Sequence, residues 1–256
     1  MSVEIAAAQR GLRPRSVSSD RERYFHTVAA ITMLLLTLVG FMPFYLKGTG
    51  MAGREISPQL FPLVLAHGSL MTSWVLLFLA QALLISTRHR RLHMKLGWLA
   101  VAVAIGVTVT GFMVAVESVR TVPDFPFWGM AYRQFLLIML AEVALFTAFV
   151  LAGVLSRKRP NRHRAMMLLA TLSILAGATV RMPILFPVFG ETGWVGVFGP
   201  IFTLGGAFLV VRWFLTKSFD HAFAAGYAAM VVMYVGASCV ALSDAWSRLA
   251  RTMFDL

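Results

Sequence analysis

Charge, cysteine and the motifs of soluble enzymes are what this chain has least of. Only 13% of its 256 residues are charged, against 59% hydrophobic, and so few polar groups could not cover a water-facing surface. A soluble globular domain is thereby excluded. The single cysteine, Cys239, rules out an intramolecular disulfide and any cysteine-built metal cluster. Its expected role is small apolar packing. There is no phosphate-cradling glycine loop, no nucleophile elbow and no His-Glu-x-x-His helix. The gaps between apolar stretches are too short for a soluble catalytic domain, and no convincing internal repeat points to an inverted-repeat transporter.

What fills the chain instead is seven apolar stretches, Tyr24 to Leu46, Phe61 to Ser86, His93 to Val116, Tyr132 to Leu155, His163 to Phe186, Trp194 to Leu215 and Ala222 to Leu242. Each is comparable to the ~20 residues a helix needs to cross ~30 Å of hydrocarbon. The expected fold is a single all-α domain, a polytopic membrane protein of seven transmembrane helices (residues 24–242), with a basic cytoplasmic tail (residues 1–23) and a short outer C-terminal tail (residues 243–256). Lipid, rather than water, is the main solvent.

The net charge of +12 would suggest nucleic acid in a soluble chain, but its distribution argues otherwise. Sixteen of the 23 Lys and Arg fall before Tyr24, in Arg88 to Lys95, in Arg157 to Arg164, and at Arg212 and Lys217. These are alternate gaps, on one side of the membrane. The positive-inside rule then predicts N-in, C-out in a bacterial inner membrane, with anionic lipid headgroups as partners of the basic face and no nucleic acid. The first 23 residues carry no apolar run, so the first span is expected to act as an uncleaved anchor rather than a secretory signal. Glu4, Asp20 and Glu22 also fit an organellar transit peptide poorly.

Trp98, Trp194, Trp213 and Trp246 lie near predicted boundaries, as aromatic anchors do, and Thr121 to Trp128 reads as a loop along the headgroup layer. Small residues, among them Gly106 and Gly111, Ala176 and Gly177, Gly205 and Gly206, and Gly226 with Ala229, allow close helix packing.

Ionisable groups within hydrocarbon are costly unless paired or wetted, so each is a functional lead. At 1.5 Å per residue, His67 lies ~9 Å below the outer edge, Glu142 ~15 Å and Arg181 ~3 to 8 Å. Three helices thus place a base, an acid and a guanidinium in the outer leaflet. An Arg181–Glu142 pair is expected, either as a structural ion pair fixing helix register or as a proton or ligand site that His67 joins. On the second span His67, Trp74 and Gln81 recur every seven residues and share one face, which should look into the bundle.

A second polar layer is expected at the inner edge, where Gln81, His93 and His163 begin or end their spans, with His26 and His89 close by in sequence. Imidazoles facing each other across two helices can hold haem iron, and His93 with His163 is the pair so placed. The alternative is that these rings only meet headgroups or water.

The run His67-Gly-Ser-Leu-Met-Thr-Ser-Trp74, then Gln81, then Leu92-His93-x-x-Leu96-Gly97, resembles a broad class of bacterial multi-pass membrane proteins of unknown function. In that class a histidine near the start of one span is followed by a Leu-His-Arg-x-Leu-Gly-like motif opening the next. Asn161-Arg162-His163-Arg164-x-Met166 with Arg181 is similar to the same class in the fifth span. The resemblance covers the second, third and fifth spans, and departs from the pattern at Met94, where the class has Arg. The His-Gly-x-Leu-Met-x-x-Trp portion is also similar to the second span of transmembrane cytochrome b ferric reductases, which bind two haems through two pairs of histidines on four helices. Here His67 is the one deep histidine, with no outer imidazole to pair with it. The resemblance therefore implies at most one bis-histidine haem b, or a site joining His67 to Met113 or Met182.

Three functions follow as expectations. One is haem-associated electron transfer or haem handling, with His93, His163 and His67 as ligands. Another is a proton-coupled small-solute carrier working through His67, Glu142 and Arg181. The third is a non-enzymatic membrane subunit or assembly factor, bound to a membrane protein partner or to copies of itself.

Overall fold

The computed structural model describes residues 17–50 and 54–254; most of the expected basic tail, residues 1–16, lies outside them. Apolar sequence and intrahelical hydrogen bonding are the only way such a chain satisfies its backbone in lipid, and the fold is accordingly almost wholly helical. In chain order the helices are α1 (Val17–Gly40), α2 (Met42–Lys47), α3 (Phe61–Ser86), α4 (Arg90–Thr121), α5 (Tyr132–Leu155), α6 (Pro160–Ser173), α7 (Ala176–Thr179), α8 (Phe186–Phe189), α9 (Gly193–Thr216), α10 (His221–Ala241) and α11 (Asp244–Phe254). Among the described residues six helices are long and apolar enough to cross a membrane. A seventh crossing is reached if the bent pair Pro160–Thr179 and Pro183–Phe189 is one span. The protein is a helical, multi-pass membrane protein.

Local chemistry sets the ends. Pro62 opens α3 and Pro160 opens α6, where the missing N–H of proline costs nothing. The Ala131 N–H at the start of α5 donates to Gln134 Oε1 at 2.9 Å. Asp220 caps α10 by accepting from the Phe223 N–H at 3.0 Å.

Two spans depart from expectation. The first stops at Gly40, and Met42–Lys47 follows as a separate short helix beyond a break at Phe41. The fifth does not run through to Phe186: helix α6 ends at Ser173, α7 is a single turn, and the chain then bends by 96° toward Pro183–Phe189. Pro183 and Pro187 lack the N–H groups that would extend a helix through this stretch.

This interrupted span is the centre of the bundle. α6 packs on α5 and α10 and also touches α1, α3 and α9, while α7 is clasped between α1 and α9. Leu168, Leu169, Ala170 and Leu172 have almost no exposed surface. Gly40 of α1 lies so close to the Ala178 backbone of α7 that a Cβ would collide with it, an approach only glycine permits.

The segment from Pro126 to Ala131 and the C-terminal segment are more ordered than a headgroup-layer loop requires. Pro126–Phe127 pairs antiparallel with Met130–Ala131 through a turn in which Trp128 (φ 51°) and Gly129 (φ 84°) are both left-handed, the form that matches strand twist. Trp128 is buried against Phe186, with ring centroids 5.7 Å apart. The expected C-terminal tail contains α11, with Trp246 and Ala250 inward and Leu249 and Met253 exposed. Trp246 is therefore not an outward anchor; its indole N–H donates to the Arg133 carbonyl at 3.4 Å. Trp98, Trp194 and Trp213 are exposed, as anchors should be. Cys239 is also exposed, on a face turned away from the helix contacts rather than packed in the core.

At the end of the bundle holding the basic gaps, Glu22 binds Arg164 at 3.1 Å and Arg212 at 2.8 Å, and Arg212 Nε lies 3.4 Å from Asp220. This network ties α1 to α6, α9 and the cap of α10. Glu22→Ala leaves the buried Arg212 short of a counter-charge, so thermal unfolding in detergent should show a loss on the order of 3 kcal/mol. An unchanged melting temperature contradicts that role.

Candidate functional site

A cavity of about 250 Å³ penetrates the bundle from the opposite end, where Thr49, Gly50 and Ile56 line its mouth. Its walls are mostly apolar, including Phe41, Phe44, Met71, Phe135, Val197 and Phe198. Into this lining project His67 from α3, Glu142 from α5 and Arg181 from the turn after α7. The three membrane-depth ionisable residues thus share one cavity.

His67 Nδ1 is 2.9 Å from Thr110 Oγ1 of α4. The Thr110 hydroxyl gives its own proton to the Gly106 carbonyl at 2.7 Å, so toward His67 it has only lone pairs to offer. Nδ1 must therefore carry a proton, and in the neutral ring Nε2 is an acceptor. Gly111 keeps this ring in place: a Cβ there would sit 3.2 Å from His67 Cε1 and 3.3 Å from Val143 Cγ2.

Arg181 donates to the Gly177 carbonyl, one turn earlier, and lays its guanidinium over the Phe41 ring at 4.6 Å, a cation–π contact. Among the described residues the ion pairs are Arg120–Glu117, Arg133–Asp124 and those of the Glu22 network. Glu142 and Arg181 form none with each other, although each lies within the other's field.

The break in the fifth span supplies the rest of the site. Ser173, at the end of α6, has its carbonyl taken by the Tyr234 hydroxyl of α10 at 2.6 Å. A continuous helix would join Gly177 N–H to Ser173 C=O; here that carbonyl is taken by a side chain from another helix instead.

Below the cavity the bundle is closed by rings. Trp74 and Phe146 meet edge to face at 5.0 Å, and Trp74 Nε1 donates to Thr171 Oγ1 at 3.3 Å. The three residues of the heptad stripe on α3 therefore have separate places. His67 is in the cavity and Trp74 is in the plug. Gln81 lies beyond the plug, its amide nitrogen 3.8 Å from where a Gly97 Cβ would sit.

That far layer holds the other expected residues. The His93 and His163 rings are 6.3 Å apart and perpendicular, and the Gln81 backbone lies against His93. His163 Nδ1 donates to the Gly153 carbonyl at 2.9 Å. Gln81 Oε1 and His93 Nδ1 are buried without hydrogen-bond partners among the described residues. His26 and His89 do not join them: His26 stacks edge-on to Phe25 beside Glu22, and exposed His89 bonds Thr87. Met113 is exposed on α4, away from His67, while Met182 is buried. No group of three or more His, Cys, Asp or Glu able to hold a metal ion occurs among the described residues.

Sequence reasoning overlooked Thr110, Tyr234 and Phe41. Tyr234 carried a usable signal, since a tyrosine deep in an apolar span needs a partner for its hydroxyl. Thr110 carried none, because most span hydroxyls bond only their own helix.

No known protein family, no curated protein and no solved structure matches the chain.

The tautomer assignment is open to direct measurement. Side-chain 15N spectra of labelled protein should show His67 neutral and protonated at Nδ1, with that pattern lost in Thr110→Val. A predominantly Nε2-protonated wild-type ring contradicts the assignment.

Proposed function

We propose that this is a proton-coupled carrier for a small solute, seated in a bacterial inner membrane with its N-terminus and basic gaps inside. One observation carries the reading: an acid, a bare imidazole nitrogen and a guanidinium, from three separate segments at membrane depth, converge on a single cavity. A purely structural role would favour direct pairing of Glu142 with Arg181, since burying two unpaired charges is costly. Here the charges are parted around a space. The aromatic plug of Trp74 and Phe146 closes the inner end, as an outward-open state requires.

The orientation rests on the positive-inside distribution of Lys and Arg, and the basic face is suited to anionic headgroups. Under this reading the cavity opens outward. Glu142 is the group that takes up and gives back the proton, and His67 Nε2 is a second acceptor within the same space. Reconstituted into vesicles, the wild-type protein should give a solute-dependent proton flux that Glu142→Gln reduces to the level of empty vesicles. Wild-type flux in that variant overturns the reading.

A second reading places haem b at the far layer, favoured by the facing rings of His93 and His163. The hydrogen bond from His163 Nδ1 to Gly153 leaves Nε2 as the ligating nitrogen, and Arg and Lys nearby would meet the propionates. The donors suit iron, but the outer cavity does not reach between the rings, so haem would require the ends of α4 and α6 to part. Purified protein supplied with haem should then show a Soret band, lost in His93→Ala and in His163→Ala; a colourless protein removes this reading.

A further inference from the structure

We infer that the solute of the outer cavity is a small monocarboxylate with an apolar tail, bound by Arg181 and accompanied by one proton that goes to Glu142. The inference rests on the carrier reading for its transport sense, and on the geometry of the cavity for its chemistry.

Consider first what Arg181 lacks. A guanidinium has five N–H donors in a planar fork. One serves the Gly177 carbonyl and the ring face lies on Phe41, while no carboxylate pairs with the group among the described residues. The fork has unfilled capacity on a cavity wall. Planar, bidentate acceptors are what such a fork matches best, and a carboxylate is the smallest of them.

Charge balance then selects the proton. With Glu142 ionised, the guanidinium and the carboxylate hold the empty cavity neutral. An anion entering alone would leave one uncompensated negative charge at membrane depth, which is disfavoured. Protonating Glu142 restores neutrality. An incoming cation finds no such remedy, because arginine does not give up its proton. The asymmetry between a carboxyl that titrates and a guanidinium that does not makes the site selective for an anion plus a proton. The balance is complete: one anion and one proton enter together, the proton resides on a Glu142 oxygen, and no net charge moves.

The other titratable groups facing Glu142 are His67 of α3, Tyr45 of α2, Tyr132 of α5 and Tyr234 of α10. At this depth α4 presents only the Thr108 hydroxyl, α1 that of Thr37, and α9 apolar side chains. Glu142 is the one carboxylate among the described residues that line the cavity. His67 lines the same cavity, and Nε2 of its neutral ring is a further acceptor there. The remaining lining, including Phe41, Phe44, Met71 and Phe198, suits a hydrocarbon or aromatic tail.

Three probes with one tail and different heads decide the matter: phenylacetate, phenethylamine and 2-phenylethanol. Calorimetric titration of the solubilised protein, repeated in buffers of different ionisation enthalpy, reads affinity and proton uptake together. Phenylacetate should bind at least about tenfold more tightly than the other two and take up about one proton per anion, the cost of leaving the charge unbalanced being what drives the uptake. Glu142→Gln should bind phenylacetate with no proton uptake, and Arg181→Gln should lose on the order of 30-fold or more in affinity. Equal or tighter binding of the amine or the alcohol, anion binding without proton uptake, or no binding of any probe overturns the inference. The wild-type comparison needs no variant to fold. Vesicle flux separates this inference from the reading beneath it: carboxylate binding with proton uptake but no flux sustains the site and overturns the carrier, whereas proton-linked flux of solutes without preference for the carboxylate does the reverse.

Discussion

Hydrocarbon donates and accepts no hydrogen bonds, so an interrupted helix inside a bundle survives only if other helices complete it. The fifth span is such a helix, and the arrangement of the cavity depends on it. Tyr234 takes the Ser173 carbonyl, and the chain beyond α7 delivers Arg181 to the cavity wall instead of continuing as a helix. A continuous α6 would close Gly177 onto Ser173 and carry Arg181 along the helix surface. The break therefore positions the guanidinium and the environment of the acid together.

Around that break the packing is tight in some places and open in one. Gly40 against Ala178 and the fully buried Leu168 to Leu172 region hold the interrupted span on all sides. Among the described residues a cavity remains whose lining includes His67, Glu142 and Arg181. Thr110 fixes the imidazole in one tautomer, and Phe41 holds the guanidinium from the ring face. At the other end, the Glu22 network joins α1, α6 and α9, leaving the Trp74 and Phe146 plug between a locked end and an open one.

Much of this was legible in the residues. The second and fourth spans run Phe61–Ser86 and Tyr132–Leu155, the bounds their apolar runs imply, because proline or a turn stops the helix just where hydrophobicity does. Rarity of charge singled out His67, Glu142 and Arg181, and all three line the cavity. The bend beyond Thr179 has a local cause in Pro183 and Pro187, whereas the departure from regular helix at Ser173 is met by Tyr234, 61 positions away, and no local pattern links the two. Phe41 was likewise unreadable, since its break and its contact with Arg181 arise from helix packing. Glu22 falls within the expected basic tail of residues 1–23, and its pairing with Arg164 and Arg212 arises only in the fold. Cys239 illustrates the limit of composition: a small apolar residue packs in the core or faces outward with equal ease when the solvent is lipid.

The central claim is that Glu142 faces a water-accessible interior cavity rather than lipid. With the exposed Cys239 replaced by serine, Glu142→Cys in intact membranes tests it directly through its reactivity with thiol reagents. A small, charged, water-soluble thiosulfonate applied from the outer side should modify Cys at this position, and Arg181 should hasten an anionic reagent over a cationic one. Reaction only with a lipid-dissolved maleimide, and none with either charged reagent, would contradict the account.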